Sequence, residues 1–368
     1  MNKICLIGNS GRKSGGMDGQ TSKVRLYLKK IKDEGFDVFF VDLESFSKRP
    51  LRVLLEIKKA IKTCNRVILI SAERGCRLLI PFINFFNKKR QIPFILPLVG
   101  TSVLHFSLDK LDEKKQYEFM FGGNFSLVSP SEKIKRNLSM ITYILPETEL
   151  LTDVYRKYYG LKNVVTLNNF RDITAFPRIA KENDKLKIIF YSRVMEKKGI
   201  FDIINACRSV ENNCCFIFDI YGPLYLSKEE REIFFSLLDD HIHYLGVVDP
   251  ADSVKLLASY DLMVFPTRFA TEGTPGVIVE SLIAGTPVLS SAFPQANVLL
   301  KNGFDSVQYT FLDKEDLQVK LDQIVKNRDF LIELTKNAQI SGEKYTYSHE
   351  RKIFLKYICG IDCEGAQE

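Results

Sequence analysis

Short apolar runs alternate along the chain with stretches whose apolar positions recur every three or four residues. The first pattern predicts buried strands and the second amphipathic helices. In the first half, Lys3–Gly8 (KICLIG), Phe36–Leu43 (FDVFFVDL), Arg66–Ser71 (RVILIS) and Pro93–Val99 (PFILPLV) read as strands. Between them, Thr21–Glu34 carries Val24, Leu26, Leu28 and Ile31 at helical spacing. Leu51–Lys62 is a helix with Leu51, Leu54, Leu55, Ile57 and Ile61 inward, and Leu78–Phe86 an apolar helix. The second half repeats the theme. Strands are predicted at Leu186–Ser192, Cys215–Tyr221, Ile242–Leu245, Asp261–Pro266 and Thr286–Ser290. Helices are predicted at Ile200–Ser209, Lys228–Asp239, Ser253–Ala258 and Gly276–Ala284. Strands this apolar, alternating with helices, imply parallel sheets covered on both faces. The polar stretch Ala180–Lys185 (AKENDK) reads as a linker between two α/β halves. Ligand is expected in a cleft at the carboxyl ends of the strands.

Composition narrows the class. The 368 residues are 45% apolar and 26% charged, which excludes disordered, collagenous and low-complexity chains. No apolar run reaches the ~20 residues of a membrane span. Met1–Ser10 has too short an apolar core for a signal peptide and fits a first strand better. Eight cysteines without a C-x-x-C pair or metal-ligand spacing point to reduced, cytosolic thiols. The net charge of +7 conceals an asymmetry: residues 1–180 carry +14 and residues 181–368 carry −7. A basic half suits nucleic acid, anionic lipid or a phosphorylated substrate.

Three segments carry candidate chemistry. In Glu272–Glu280 (EGTPGVIVE), Gly273, Thr274 and Pro275 form a turn, and Gly276 opens a helix. A helix start offers backbone N–H groups and partial positive charge to a diphosphate. Glu272 and Glu280, as acceptor-only carboxylates, suit hydroxyl groups on a sugar and a ribose. The plain alternative is a turn residue and a solvated helix residue. In Ser192–Gly199 (SRVMEKKG), Arg193 and Lys198 follow a strand end, where two cations suit a phosphate-bearing leaving group; a solvated basic turn is the other reading. The loop Gly8–Thr21 is rich in glycine, with Gly15, Gly16 and Gly19 open to close ligand approach. It lacks the second glycine of a P-loop, and no strict G-x-G-x-x-G occurs. A phosphate or sugar loop and a merely flexible loop both fit.

Together these motifs resemble the retaining glycosyltransferases of family 4, which have the GT-B fold. The resemblance covers most of the chain. Arg193 to Lys198-Gly199 matches an Arg, four residues, Lys-Gly signature. Glu272, Glu280 and Gly285–Val288 match Glu, seven residues, Glu, then Gly-Thr-Pro-Val. Gly15-Gly16 matches the first glycine-rich loop, with weaker matches at Tyr221-Gly222-Pro223, Leu245-Gly246 and Phe265-Pro266. The resemblance implies two Rossmann-like parallel-sheet domains facing across a cleft. The first is an acceptor-side domain over 1–180, rejoined by a crossover helix in 343–368. The second is a nucleotide-sugar domain over 181–342. The last helix, around Ser348–Ile358, has Ile353, Phe354, Tyr357 and Ile358 as its apolar side.

The implied roles follow residue by residue. Arg193 and Lys198 hold the donor diphosphate and stabilise the departing nucleotide. Glu272 contacts the transferred sugar, and Glu280 the ribose. Gly273, Thr274, Pro275 and Gly276 line sugar and phosphate, and Gly16 faces the diphosphate. One departure is visible: family members often place a His after a first-domain strand. Here PFILPLV runs into Gly100-Thr101-Ser102, with His105 either a substitute or a surface-loop residue. His241 and His243 read as edge-strand residues, and no Asp-x-Asp metal motif occurs.

On the acceptor side, Arg77–Arg90 (RLLIPFINFFNKKR) reads as a buried helix or as an interfacial segment, with Lys29, Lys30, Lys58, Lys59 and Lys62 facing an anionic membrane. The expectation is a cytoplasmic retaining hexosyltransferase at the inner face of the cell membrane. It needs no metal or cofactor, takes a UDP- or GDP-sugar, and extends a lipid-linked or polysaccharide acceptor for a bacterial capsule or exopolysaccharide. No nucleic-acid module is recognisable. The alternatives are a GT-B transferase acting on a small soluble acceptor and a non-catalytic sugar-nucleotide-binding subunit.

Overall fold

A computed structural model describes residues 3–11, 19–104, 108, 111–173, 185–210 and 215–362. The chain divides into two compact units, Met1–Asn169 with Ser348–Glu368, and Phe170–Tyr347. The sequence puts these bounds at 180/181 and 342/343. The earlier crossing has a local cause. Arg171 N donates to Tyr345 O at 2.8 Å and Tyr347 N to Arg171 O at 2.9 Å, which ties residues 170–173 to the end of the second unit.

The first unit holds a five-stranded parallel sheet of β1 (Lys3–Gly8), β2 (Asp37–Asp42), β3 (Arg66–Ile70), β4 (Phe94–Pro97) and β5 (Tyr143–Leu145), in the order β2-β1-β3-β4-β5. Its helices are α1 (Gly19–Asp33), α2 (Pro50–Thr63), α3 (Glu73–Asn87), α4 (Glu113–Met120), α5 (Glu132–Ser139) and α6 (Glu149–Tyr159). Cys5, Ile7, Val67, Leu69, Phe94 and Leu96 from the strands pack with Ile57, Ile61, Leu79 and Ile83 in one core. Capping fixes α6: Thr148 accepts from Leu151 N, and Gly160 closes the helix in the left-handed region at φ +66°.

Two inward assignments in α2 do not hold. Leu51 and Leu55 are 76% and 65% exposed, and the buried stripe is Val53, Ile57, Ala60 and Ile61. Helix α3 is buried on one side only; Leu78 and Phe85 of its apolar run are exposed, Phe85 by 74%. After the second crossing, Phe354 stacks edge-on against Tyr27, and Arg351 makes a bidentate pair with Glu34 at 2.8 and 2.7 Å. These contacts hold the terminal helix on the first unit.

The second unit holds a six-stranded parallel sheet of β6 (Leu186–Tyr191), β7 (Phe216–Tyr221), β8 (Ile242–Gly246), β9 (Leu262–Phe265), β10 (Val288–Ser291) and β11 (Ser306–Tyr309). The order is β11-β10-β9-β6-β7-β8. Its helices are α7 (Ile200–Ser209), α8 (Lys228–Ser236), α9 (Ser253–Leu257), α10 (Gly276–Ile283), α11 (Ala296–Leu299), α12 (Lys314–Lys326) and α13 (Arg328–Gly342), before α14 (Tyr347–Phe354) at the return crossing. Two apolar clusters cover the two sheet faces, one built on Ile188, Phe190, Phe218 and Val264, the other on Ile189, Met263, Phe265 and Val288. Strand order reverses between β6 and β9. In doubly wound sheets this switch point, at the carboxyl ends of the strands, is where ligands bind.

Candidate active site in the second unit

The segments following β6 and β9 meet at that switch point. After β6, a 3₁₀ turn over Glu196–Lys198 is closed by Gly199 at φ +76°. A Cβ on Gly199 would lie 1.9 Å from Pro266 O, so only glycine lets the two segments approach this closely. The approach buries Lys198. Its ammonium donates to Glu272 Oε1, with the two side chains 7% and 14% exposed. Phe265 and Phe269 wall the ammonium, with ring centroids 5.0 and 5.4 Å away. Thr267, buried just past β9, donates its hydroxyl to the same Glu272 oxygen at 2.9 Å. Its own carbonyl accepts from Ser291 Oγ at 2.8 Å. Sequence reasoning missed Thr267, because a lone Thr after a strand has no motif.

Arg193 is brought to the same strand end but is exposed, with its guanidinium 5.8 Å from the Tyr225 ring centroid. It is available to a ligand, whereas Lys198 is fixed. Gly273, Pro275 and Gly276 are half-buried and Thr274 is buried. Helix α10 starts at Gly276. The N–H groups of Ile278 and Val279 turn back to Pro275 O at 3.1 and 3.4 Å, and those of Gly276 and Val277 open the helix with its partial positive charge.

One turn on, Glu280 Oε1 accepts from Arg171 Nε at 2.7 Å. Neither sequence motif signals this arginine. A Cβ at Gly276 would stand 2.2 Å from Arg171 Nη2, so the guanidinium lies against the first residue of α10. Tyr191, at the end of β6, has its hydroxyl pushed up to about 12 by burial first, then by the negative charges of Glu280 and Asp249. It is a neutral hydroxyl at any physiological pH.

Thus the second unit brings together Lys198, Glu272, Glu280 and the start of α10, with Arg193 at the rim. Gly16 and His105 lie outside the described residues. At the strand ends of the first unit, Lys23 Nζ donates to Leu98 O at 2.6 Å and Glu147 Oε1 at 2.7 Å, a buried pair that no sequence motif marks. His243, on edge strand β8, pairs through Nδ1 with Asp219 at 2.9 Å, away from the switch point. Among the described residues, no group of three or more His, Cys, Asp or Glu is placed to hold a metal.

The fold is GT-B: two parallel-sheet α/β domains like those of known glycosyltransferases. A crystal structure of Anabaena Alr3699/HepE in complex with UDP-glucose superposes with a TM-score of 0.71 at 12% identity, covering 98% of this chain and all of the other. Sucrose-phosphate synthase from Thermosynechococcus elongatus gives 0.72 at 14% identity, covering 98% and 99%. In sequence, residues 172–341 match the family described as Glycosyl transferases group 1, a stretch that holds Arg193, Lys198, Glu272 and Glu280 and begins just after Arg171. A phosphatidyl-myo-inositol mannosyltransferase of Mycobacterium leprae is 29% identical over 145 residues, 38% of this chain and 36% of the relative. An amylovoran biosynthesis glycosyltransferase of Erwinia amylovora is 30% identical over 112 residues, 29% and 28% of the two. A Campylobacter jejuni N-acetyl-D-galactosaminyltransferase, named for a diphosphoundecaprenol-linked substrate, is 27% identical over 239 residues, 62% and 64%. The chain therefore spans about a third of the length of the first two relatives and just under two thirds of the third.

Proposed function

We propose that this protein is a retaining glycosyltransferase that moves a hexose from a UDP- or GDP-sugar to a lipid-linked or polysaccharide acceptor in bacterial surface-glycan synthesis. The observation that carries the reading is the contact of Lys198 with Glu272 beside the start of α10, with Glu280 one turn further along. A departing nucleoside diphosphate gathers negative charge. Lys198, Arg193 and the helix start are aimed where that charge develops, and they do the neutralising work without a metal. Lys198 has three N–H donors and spends one on Glu272, so it can reach a phosphate oxygen while still holding the carboxylate. Glu272 accepts from sugar hydroxyls and Glu280 from the ribose.

Retention follows if acceptor and phosphate share one face of the sugar. The bond from C1 to the phosphate oxygen breaks, the acceptor oxygen bonds to C1, and its proton passes to the leaving phosphate. Relatives named for phosphatidyl-myo-inositol and diphosphoundecaprenol substrates support a lipid-linked acceptor.

The outer face of α2 and α3 supports a membrane location at the cytoplasmic side. Leu51, Leu55, Leu78 and Phe85 are exposed, and exposed cations Lys59, Lys62, Lys88, Lys89 and Arg90 follow them along the two helices. Such a face inserts apolar side chains while its cations meet anionic headgroups. No described helix is long and apolar enough to cross a membrane. The test is turnover of a sugar-nucleotide panel with a short lipid-diphosphate acceptor, the anomeric configuration of the product being read by NMR. Transfer to soluble acceptors alone would replace the lipid-linked reading. Donor binding without any turnover would leave a binding subunit.

A further inference from the structure

We propose that Arg171 is a positioning residue that fixes the carboxylate of Glu280 for the donor ribose, so that the segment joining the two units supplies part of the nucleotide site. The inference rests on the reading of Glu280 as the ribose ligand. The two residues lie 109 positions apart in the chain, yet Arg171 Nε meets Glu280 Oε1 at 2.7 Å, with side-chain exposures of 19% and 15%. The base of the arginine is fixed. Its backbone N–H and C=O are both paired, to Tyr345 O and Tyr347 N, and its Nη1 donates to Phe170 O at 3.1 Å. A guanidinium anchored in this way is a rigid fork rather than a roaming cation.

The geometry divides the labour of the carboxylate. Arg171 takes Oε1, which leaves Oε2 to accept from a ribose hydroxyl. Ionised carboxylates only accept and hydroxyls donate, so the match is to the sugar of the nucleotide rather than to its base. A carboxylate held within narrow angular limits rewards a ribose hydroxyl more than one free to rotate, because its ordering cost is already met. An ion pair that only braced residues 170–173 against α10 would leave ribose recognition untouched.

Calorimetric titration of the full chain with UDP and GDP, and with their 2′- and 3′-deoxy counterparts, separates these roles. Wild type is expected to bind the better ribonucleotide at least about tenfold more tightly than one of its deoxy forms, the worth of one charge-assisted hydrogen bond. Arg171→Ala should weaken the ribonucleotide about tenfold and barely change that deoxy form, so the ratio collapses toward one. Arg171→Lys should restore part of the ratio. Glu280→Gln should produce the same collapse, and adding Arg171→Ala to it should cost little more. Circular dichroism checks folding, and the Lys variant carries the test if the Ala variant does not fold. Folded Arg171 variants that keep the full ratio would overturn the inference while the donor site stands. Wild type that binds without any ribose preference would refute both carboxylate and arginine roles. Wild type that binds neither nucleotide would remove the donor reading and this inference with it.

Discussion

The ammonium of Lys198 and the carboxylate of Glu272 are hydrogen-bonded across 74 residues of sequence, at the point where the strand order of the second unit reverses. Neither residue is an ordinary surface charge, and each depends on the other. From sequence alone, Lys198 could equally lie in a solvated basic turn. In the structure it is buried against two aromatic rings and a carboxylate. Lys198→Ala should therefore lower kcat about 100–1,000-fold, the cost of one preorganised donor. It should also destabilise the fold by about 1–3 kcal/mol, because, among the described residues, a half-buried Glu272 then keeps only Thr267. Combining it with Glu272→Gln should cost less than the two single losses summed, read from thermal melts. Full additivity would mean that the pair is not coupled.

Thr267 offers a subtler probe. Its hydroxyl orients Glu272, and Thr267→Val keeps shape while removing that bond. Turnover should drop about tenfold with donor KM little changed, since a hydrogen bond to a charged group is worth about 1.5–3 kcal/mol. Thr267→Ser should stay near wild type. Equal loss in both variants would point to packing rather than to orientation of the carboxylate.

The two glutamates should separate kinetically. Glu280→Gln should mainly raise donor KM, because ribose is held alike in ground and transition states. Glu272→Gln should mainly lower kcat, because the sugar changes charge and shape during transfer. Exchanged phenotypes would exchange the roles.

Alkaline pH tests the burial of Tyr191. Its pKa rises in the folded state to about 12, whereas the unfolded residue ionises near the ordinary value of about 10. Between these values the unfolded chain binds fewer protons than the folded one, so stability falls as pH climbs from about 10 to 12. Below about pH 10 the contribution is complete and the melting temperature should be insensitive to this residue's ionisation. Tyr27 and Tyr155, raised by burial, act in the same direction. Tyr191→Phe should flatten part of the alkaline decline. An unchanged decline would show that Tyr191 ionises freely.

The elements that the sequence reveals and those it hides differ for physical reasons. The central strands of both sheets were legible because they are buried and read as unbroken apolar runs, such as KICLIG and LKIIFY. Strand β5 has three residues, Tyr143–Leu145, too few for a pattern. Leu51 and Leu55 fit the helical period, yet they lie outside the buried stripe of α2, because period alone does not say which apolar flank meets the sheet. Lys198, Glu272 and Glu280 were legible through their fixed spacing to glycines and prolines. Arg171, Thr267 and the Lys23–Glu147 pair were not, because each is defined by a partner that only folding brings near.

The proposed membrane attachment rests on the exposed apolar residues of α2 and α3 and on the +14 charge of residues 1–180. Each Lys or Arg near an anionic surface adds about 1 kcal/mol, fading within a Debye length. The protein should sediment with anionic vesicles at low salt, ignore neutral ones and release at high salt. Leu55→Ser with Phe85→Ser, or neutral Lys88, Lys89 and Arg90, should weaken binding. Indifference to lipid charge at low salt would favour a soluble acceptor.

Donor binding is tested most directly by a thermal-shift titration of the purified protein against UDP, GDP and a panel of their sugars. A ligand that binds only the folded state adds about 2.7 kcal/mol at a hundred times its Kd. At least one sugar nucleotide should raise the melting temperature, and Glu280→Gln should diminish the shift at equal concentration. A panel in which no nucleotide or sugar nucleotide moves the transition of the folded wild type would contradict donor binding.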